Sequence, residues 1–126
     1  MVVSNAVSLN MLPKGITSGG IIFRRISLDE ARRLVREAKQ IVSAIGHADT
    51  ARIVGQELGI ELQADRRNVT LGDELTLVAQ YVGPRLPEGA TELPQGARIE
   101  FFVVRLASGE ELAGRGDMVF YPRGGR

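Results

Sequence analysis

Two amphipathic stretches with clear start or stop signals constrain the fold of this chain more than any other feature. The first opens with Ser27 followed three residues later by Glu30. This is a capping box, in which the Ser27 hydroxyl accepts from the Glu30 amide and the Glu30 side chain reaches back. One apolar stripe and one charged face follow, so the pattern predicts a surface helix from about 28 to 39.

The second amphipathic stretch follows His47, the only histidine of the chain. Its apolar residues recur at helical spacing, and Gly59 stands where a helix-ending glycine belongs. The pattern predicts a helix from about 49 to 58. Gly46, just before the histidine, is expected to let the backbone turn sharply. His47 is therefore expected at a helix N-terminus, where free N–H groups and a partial positive charge suit a phosphate.

Short apolar runs around these helices predict β-strands. They lie at Val2–Val3, Ile21–Phe23 and Ile99–Leu106, and residues 69–81 are expected to form an antiparallel hairpin that turns at Gly72–Asp73. With two helices among these strands, the predicted fold is a single α+β domain with a mixed β-sheet flanked by helices.

The end of the chain has a different composition. We expect residues 1–106 to form the α+β domain and residues 107–126 a C-terminal extension. The extension is rich in glycine, and its last apolar run is Met118–Tyr121. It is expected to hold one extra edge strand and a flexible Arg/Gly tail.

Composition excludes several kinds of site. The chain has no cysteine and one histidine, which removes disulfides, thiol catalysis, cysteine-based zinc sites and histidine-rich metal sites. No tight acidic cluster suggests Mg²⁺, so neither a metal nor a cofactor is predicted. A net charge of +1 gives no bulk attraction to duplex DNA. Apolar runs are too short to span a membrane and no signal peptide is evident, so a cytoplasmic protein is expected.

Three segments could carry chemistry, and each has a plain structural alternative. Small polar residues after the first strand, from Ser4 to Asn10, either line a site or build turns. His47 is either a reactive group or, as structural alternatives, an N-terminal helix cap or a surface residue. Arg85 and Glu88 lie on a loop stiffened by two prolines, as a functional pair or as an ordinary surface ion pair.

These segments together resemble one family. Residues 5–12, the Ser43-Ala44-Ile45-Gly46-His47 block through Thr50, and Arg85-Leu86-Pro87-Glu88-Gly89 occur in its order and spacing. The chain is similar over about residues 2–106 to the viral type III anti-CRISPR ring nucleases, which also occur in prophages and beside CRISPR loci. The block that ends at His47 is the most specific part of the resemblance.

The resemblance implies a function in concrete terms. Family members are homodimers that bind cyclic tetra-adenylate, the second messenger of type III CRISPR defence. They cut this ring without a metal into linear oligoadenylates that end in a 2′,3′-cyclic phosphate. The ancillary nucleases that the messenger would activate then remain inactive. For a viral protein, the expected compartment is the host cytoplasm.

The resemblance also implies roles for individual residues. His47 would be the general acid, Arg85 would hold phosphate, and Glu88 would either orient Arg85 or assist proton transfer. The ligand-binding residues implied are Asn5, Ser8, Asn10, Gly46, Arg66 and Arg85, with no metal ligand. The ribose 2′-hydroxyl of the ring supplies the nucleophile, so one histidine per subunit suffices.

Two other functions remain open on the residues alone. A non-catalytic cyclic-nucleotide-binding or interaction module on the same scaffold would bind the ring without cutting it. A small viral DNA-binding protein would bind duplex tightly and with strong salt dependence.

Overall fold

The computed structural model describes residues 1–72 and 74–115. The strands are β1 (Val2–Ser4), β2 (Gly19–Ile26), β3 (Val42–Ser43), β4 (Thr76–Val82) and β5 (Arg98–Ser108). The helices are α1 (Leu28–Glu37), α2 (Ala48–Leu58) and α3 (Gly109–Arg115), with one 3₁₀ turn at Leu9–Met11. The element order confirms an α+β domain.

The five strands form one mixed sheet in the order β2-β5-β4-β1-β3. Strand β1 runs parallel to both β3 and β4, whereas β5 is antiparallel to β4 and to β2. The carboxyl ends of β1, β3 and β4 therefore meet at one edge of the sheet, which we call the carboxyl edge.

Helices α1 and α2 cover one face of the sheet. Helix α1 begins as predicted, because the Ser27 hydroxyl accepts from the Glu30 amide at 3.1 Å. The Glu30 carboxylate binds Arg24 at 2.7 Å, so that ion pair takes the place of the predicted return contact. The core under the helices contains Val3, Ile26, Ala31, Val35, Ile45, Ala51, Val54, Leu58, Leu62, Leu77, Ala79, Phe101 and Val103.

Helix α2 ends at the predicted glycine. Gly59 has φ of +77°, a left-handed conformation that glycine adopts at little cost. The Ile60 amide donates to the Gly55 carbonyl at 2.9 Å, and the Gly59 amide donates to the Gln56 carbonyl at 3.2 Å. These two bonds form a Schellman motif, which stops the helix and turns the chain back under it.

Gly55 is the tightest point of this turn, and its replacement by alanine is expected to destabilise the protein. An added methyl group would lie 2.7 Å from the Ile60 carbonyl oxygen and 3.1 Å from the Leu62 Cβ. Overpacking costs about 1–3 kcal/mol, which exceeds the gain of about 1 kcal/mol in helix propensity. We expect the free energy of unfolding, measured in urea, to fall by about 1 kcal/mol.

Gly72→Ala is the matched control, because among the described residues, its chain neighbours aside, no atom lies within 4 Å of a methyl group there. Its free energy of unfolding should stay close to that of the wild type. Equal losses in the two variants would mean that close packing at Gly55 is not the cause.

The predicted hairpin over residues 69–81 is wrong. Strand β4 begins at Thr76 and pairs with β1 and β5. The preceding segment folds over the other face of the sheet, where Leu71 is 1% exposed and its amide donates to the Met11 carbonyl at 2.8 Å. The segment can either form a local hairpin or bury Leu71 against β4 and β5, and the structure shows that it buries Leu71.

The C-terminal part also differs from the prediction. Strand β5 continues to Ser108, and α3 follows it directly. Leu112 of α3 is 5% exposed and lies over Gly20, where an added methyl group would be 2.6 Å from its Cδ1. The extra strand predicted at Met118–Tyr121 lies outside the described residues. Among the helices of residues 1–72 and 74–115, none is long and apolar enough to cross a membrane.

Candidate functional site

Strand direction brings the three candidate segments to the carboxyl edge. Residues 5–10 follow β1, residues 44–47 follow β3, and the loop of residues 83–97 follows β4. Because β1, β3 and β4 are parallel, their following segments emerge on the same side. The crevice beyond the carboxyl ends of parallel strands is where ligands commonly bind in such sheets.

His47 is the residue that precedes α2. Its carbonyl accepts from the Ala51 amide at 3.0 Å, while its imidazole makes no capping hydrogen bond and is exposed. His47 thus occupies the N-cap position through its backbone and not through its side chain, and its exposure also fits the alternative of an ordinary surface residue. The imidazole is accessible to a ligand at the carboxyl edge.

Asp49 joins α2 to the loop that carries Arg85 and Glu88. The Gly89 amide donates to Asp49 Oδ2 at 2.8 Å. Arg52 donates to Asp49 Oδ1 at 3.1 Å and to the Ala90 carbonyl at 2.9 Å. We call these contacts between Asp49, Arg52 and the Gly89–Ala90 backbone the α2–loop clamp. Gly89, which binds the first turn of α2, directly follows Glu88. The clamp therefore ties the segment of Glu88 to the helix that begins after His47.

The clamp changes the acidity of Asp49. The hydrogen bond from the Gly89 amide lowers the pKa of Asp49 most; burial opposes it, and Arg52 and then the charge of His47 lower it further. The folded-state pKa is thus below the ordinary value of 3.8. The stability that this carboxylate contributes is present above that ordinary value and is lost as pH falls through the lower folded-state value.

Arg85 and Glu88 are exposed on the clamped loop. Within residues 1–72 and 74–115, neither of them forms an ion pair. The ordinary surface ion pair considered as an alternative is therefore not observed. The loop is anchored on its other side by the Tyr81 hydroxyl, which donates to the Pro84 carbonyl.

A polar cleft of about 220 Å³ lies beside β1. Asn5, Ser8 and Asn10 all line it, together with Arg67 and Asn68. The structure thus brings together the three predicted polar residues. The basic residue that shares their cleft is Arg67, the neighbour of the predicted Arg66.

Arg66 packs instead against Gly46. Its Nε donates to the Gly46 carbonyl at 3.1 Å. Gly46 does not have the positive φ found at five other glycines of the part of the chain that the structure describes, so a left-handed turn is not the reason for a glycine there. A methyl group at Gly46 would lie 3.0 Å from Arg66 Cγ, so the close approach of Arg66 is the reason.

Sequence reasoning missed Asp49, Arg52 and Arg67. Asp49 and Arg52 are three residues apart on α2, a spacing that indicates only a helical ion pair. Their contacts with the loop join residues about forty positions apart in the chain, and no local pattern signals such contacts. The sequence offered one indication that Arg67 lines the cleft, namely its position next to the predicted Arg66.

A family model described as STIV B116-like matches residues 1–101 of the chain. The protein belongs to the STIV B116-like family. The matched region includes all of the predicted site residues. It ends within β5, before α3.

The family assignment agrees with a likeness to a solved structure. B116 of Sulfolobus turreted icosahedral virus is 27% identical and superposes with a TM-score of 0.64. The match covers 82% of this chain and 97% of B116. This member of the STIV B116-like family therefore shares its fold with a viral protein over nearly the whole of B116. Comparison with curated proteins found no match.

Proposed function

We propose that the protein is a ring nuclease that cuts cyclic tetra-adenylate without a metal. The products are linear oligoadenylates that end in a 2′,3′-cyclic phosphate, and their formation switches off the ancillary nucleases of type III CRISPR defence. Three motif blocks that resemble viral anti-CRISPR ring nucleases support this, and so does a viral relative. The observation that carries the proposal is the α2–loop clamp, which ties the loop of Arg85 and Glu88 to the helix that begins after His47.

The proposed chemistry needs only these side chains and the substrate. The ribose 2′-oxygen forms a bond to the adjacent phosphorus as its proton passes to the Glu88 carboxylate or to solvent water, and the bond from phosphorus to the 5′-oxygen breaks. His47 donates a proton to the departing 5′-oxygen. Arg85 stabilises the charge on the phosphoryl oxygens, and Glu88 orients Arg85 or takes part in proton transfer.

Binding of the ring would use the polar cleft and the start of α2. Asn5, Ser8 and Asn10 offer donors and acceptors for ribose and base. Arg67, whose Nε and Nη2 bind Asp65, adds a guanidinium that can donate to phosphate. Arg66 and Gly46 lie beside the helix start, whose free N–H groups favour a phosphate. A cleft of about 220 Å³ is smaller than the roughly 300–1,000 Å³ of common small-molecule sites, so a tetranucleotide ring needs a second surface.

A second copy of the chain would supply that surface. Large apolar side chains are exposed on the face opposite the helices: Phe23 is 67% exposed and Leu9 is 78% exposed. Asn5 and Ala6 line both the polar cleft and the apolar groove that holds Phe23. A two-fold dimer through this apolar face would place two clefts near the axis, where a cyclic tetranucleotide presents equivalent phosphates to both.

We expect Phe23→Asp to convert the protein from a dimer to a monomer and to abolish most ring cleavage. A charge in place of an exposed phenyl ring opposes burial of the apolar face in an interface. Light scattering after size exclusion measures the mass, and the same fractions are assayed for cleavage. Leu75→Asp is the control, because Leu75 is 44% exposed and lines a different groove. A wild-type protein that is monomeric and fully active would contradict the dimer.

The function itself is tested by incubating the protein with cyclic tetra-adenylate in the presence of EDTA. The expected products are linear and carry a 2′,3′-cyclic phosphate, identified by mass spectrometry. Binding without products would favour the non-catalytic module. Tight, salt-sensitive binding of duplex DNA in place of ring binding would favour the DNA-binding alternative.

A further inference from the structure

The carboxylate of Asp49 has both oxygens engaged by different elements. Oδ2 accepts from the Gly89 amide of the loop, and Oδ1 accepts from Arg52 of the same helix. The Asp49 side chain is only 11% exposed. An acidic residue in the first turn of a helix commonly serves the helix dipole alone, whereas this one holds a second segment of the chain.

The contacts fix the loop on both sides of the candidate catalytic residues. Pro84 is held by the Tyr81 hydroxyl, and Gly89 and Ala90 are held by Asp49 and Arg52. The Ala90 amide also donates to the Pro87 carbonyl at 3.1 Å, which closes a tight turn. Between the two anchors lie only residues 85–88, which include both Arg85 and Glu88.

We infer that Asp49 is a positioning residue, which sets the place of Arg85 and Glu88 relative to His47 by holding Gly89 against the start of α2. The part of this inference that concerns the reaction rests on the proposed function, whereas the anchoring of the loop does not. Correct placement of reacting groups is worth a great deal in such sites, because a shift of about 1 Å can cost roughly 10²-fold in rate.

Arg52 has the lesser part in the clamp. Its side chain is 44% exposed, and exposed ion pairs contribute little because water screens them. Asp49 makes the direct bond to Gly89, whereas Arg52 adds one bond to Ala90 and orients the Asp49 carboxylate. Removal of Asp49 is therefore expected to free the loop more than removal of Arg52.

Hydrogen exchange and a spin label measure the loop directly. The chain has no cysteine, so Thr91→Cys provides a unique labelling site on the exposed part of the loop. In Asp49→Ala, exchange of the Gly89 amide, measured by NMR, should accelerate at least tenfold, and the label should become more mobile. Amides in α2 and in the sheet should keep their protection, which separates loosening of the loop from general unfolding.

Cleavage should follow the state of the loop. We expect kcat for cyclic tetra-adenylate to fall by roughly 10–100-fold in Asp49→Ala. Asp49→Asn should recover part of this loss, because its side-chain oxygen can still accept from the Gly89 amide. Arg52→Ala should show a smaller loss. Glu37→Gln is the matched control, because Glu37 is an exposed partner of Arg33 on α1, far along the chain from the loop.

Each outcome decides one part of the inference. Unchanged Gly89 exchange and label mobility in a folded Asp49→Ala protein would overturn the anchoring of the loop. A freed loop with wild-type kcat would overturn the positioning role. If the wild-type protein does not cut the ring, the proposed function fails, and the exchange and label data still decide whether Asp49 anchors the loop.

Discussion

Replacement of His47 by alanine is expected to lower the single-turnover rate of ring cleavage by about 10²–10⁴-fold, the usual worth of a positioned acid–base group. Binding of cyclic tetra-adenylate should persist, because it uses Arg85, the helix start and the polar cleft. The melting temperature should change little, since the His47 imidazole is exposed and makes no capping hydrogen bond. Cleavage, ligand affinity and melting temperature are measured on the same preparation.

Gln56→Ala is the control for this experiment, because Gln56 is exposed on α2 near its other end. It should leave all three quantities unchanged. A well-folded His47→Ala protein that cuts the ring at nearly the wild-type rate would remove His47 from the mechanism. A large loss of stability with residual cleavage would instead point to a structural role.

Replacement of Arg85 by alanine is expected to lower the rate of cleavage by about 10²–10³-fold, the usual loss when one donor to a developing charge is removed. Unlike His47→Ala, it should also weaken ring binding, because the same guanidinium holds phosphate in the ground state. Arg85 is exposed and forms no ion pair with any residue of ranges 1–72 and 74–115, so the melting temperature should stay the same.

Arg85→Lys separates charge from geometry. Lysine keeps the positive charge but cannot form the planar, two-pronged contact with phosphate, so a partial recovery is expected. Arg36→Ala is the control, because Arg36 is an exposed arginine in the last turn of α1. Full activity of Arg85→Ala would mean that Arg85 does not contact the reacting phosphate.

The failure of the hairpin prediction shows which part of the fold lies beyond local patterns. Residues 69–81 have the alternation and turn signals of a hairpin. The same alternation also suits pairing with distant strands, and Val78 in fact lies between Ser4 of β1 and Phe102 of β5. Strand β3 was missed for a related reason: it has two residues, which is too short for any periodicity to register.

The candidate site also contains some residues that were predictable from the sequence and others that were not. Residues recognised by motif, such as His47 and Arg85, lie at the carboxyl edge. The residue that joins their segments, Asp49, was not recognised, because its partner Gly89 lies 40 positions away. Arg66 was predicted to bind ligand, but its neighbour Arg67 is the residue that lines the cleft, because the sequence does not specify side-chain direction.

Both principal helices and two of their ends were predictable from local sequence, because a helix start at Ser27 and a helix stop at Gly59 depend on contacts within five residues. The composition also excluded thiol catalysis, because a chain without cysteine has no thiol. The strand order, the meeting of three segments at the carboxyl edge and the α2–loop clamp became evident only from the folded chain. Those features depend on burial and hydrogen bonds between segments far apart in the chain. The residues of one segment alone do not specify which distant segment it will contact.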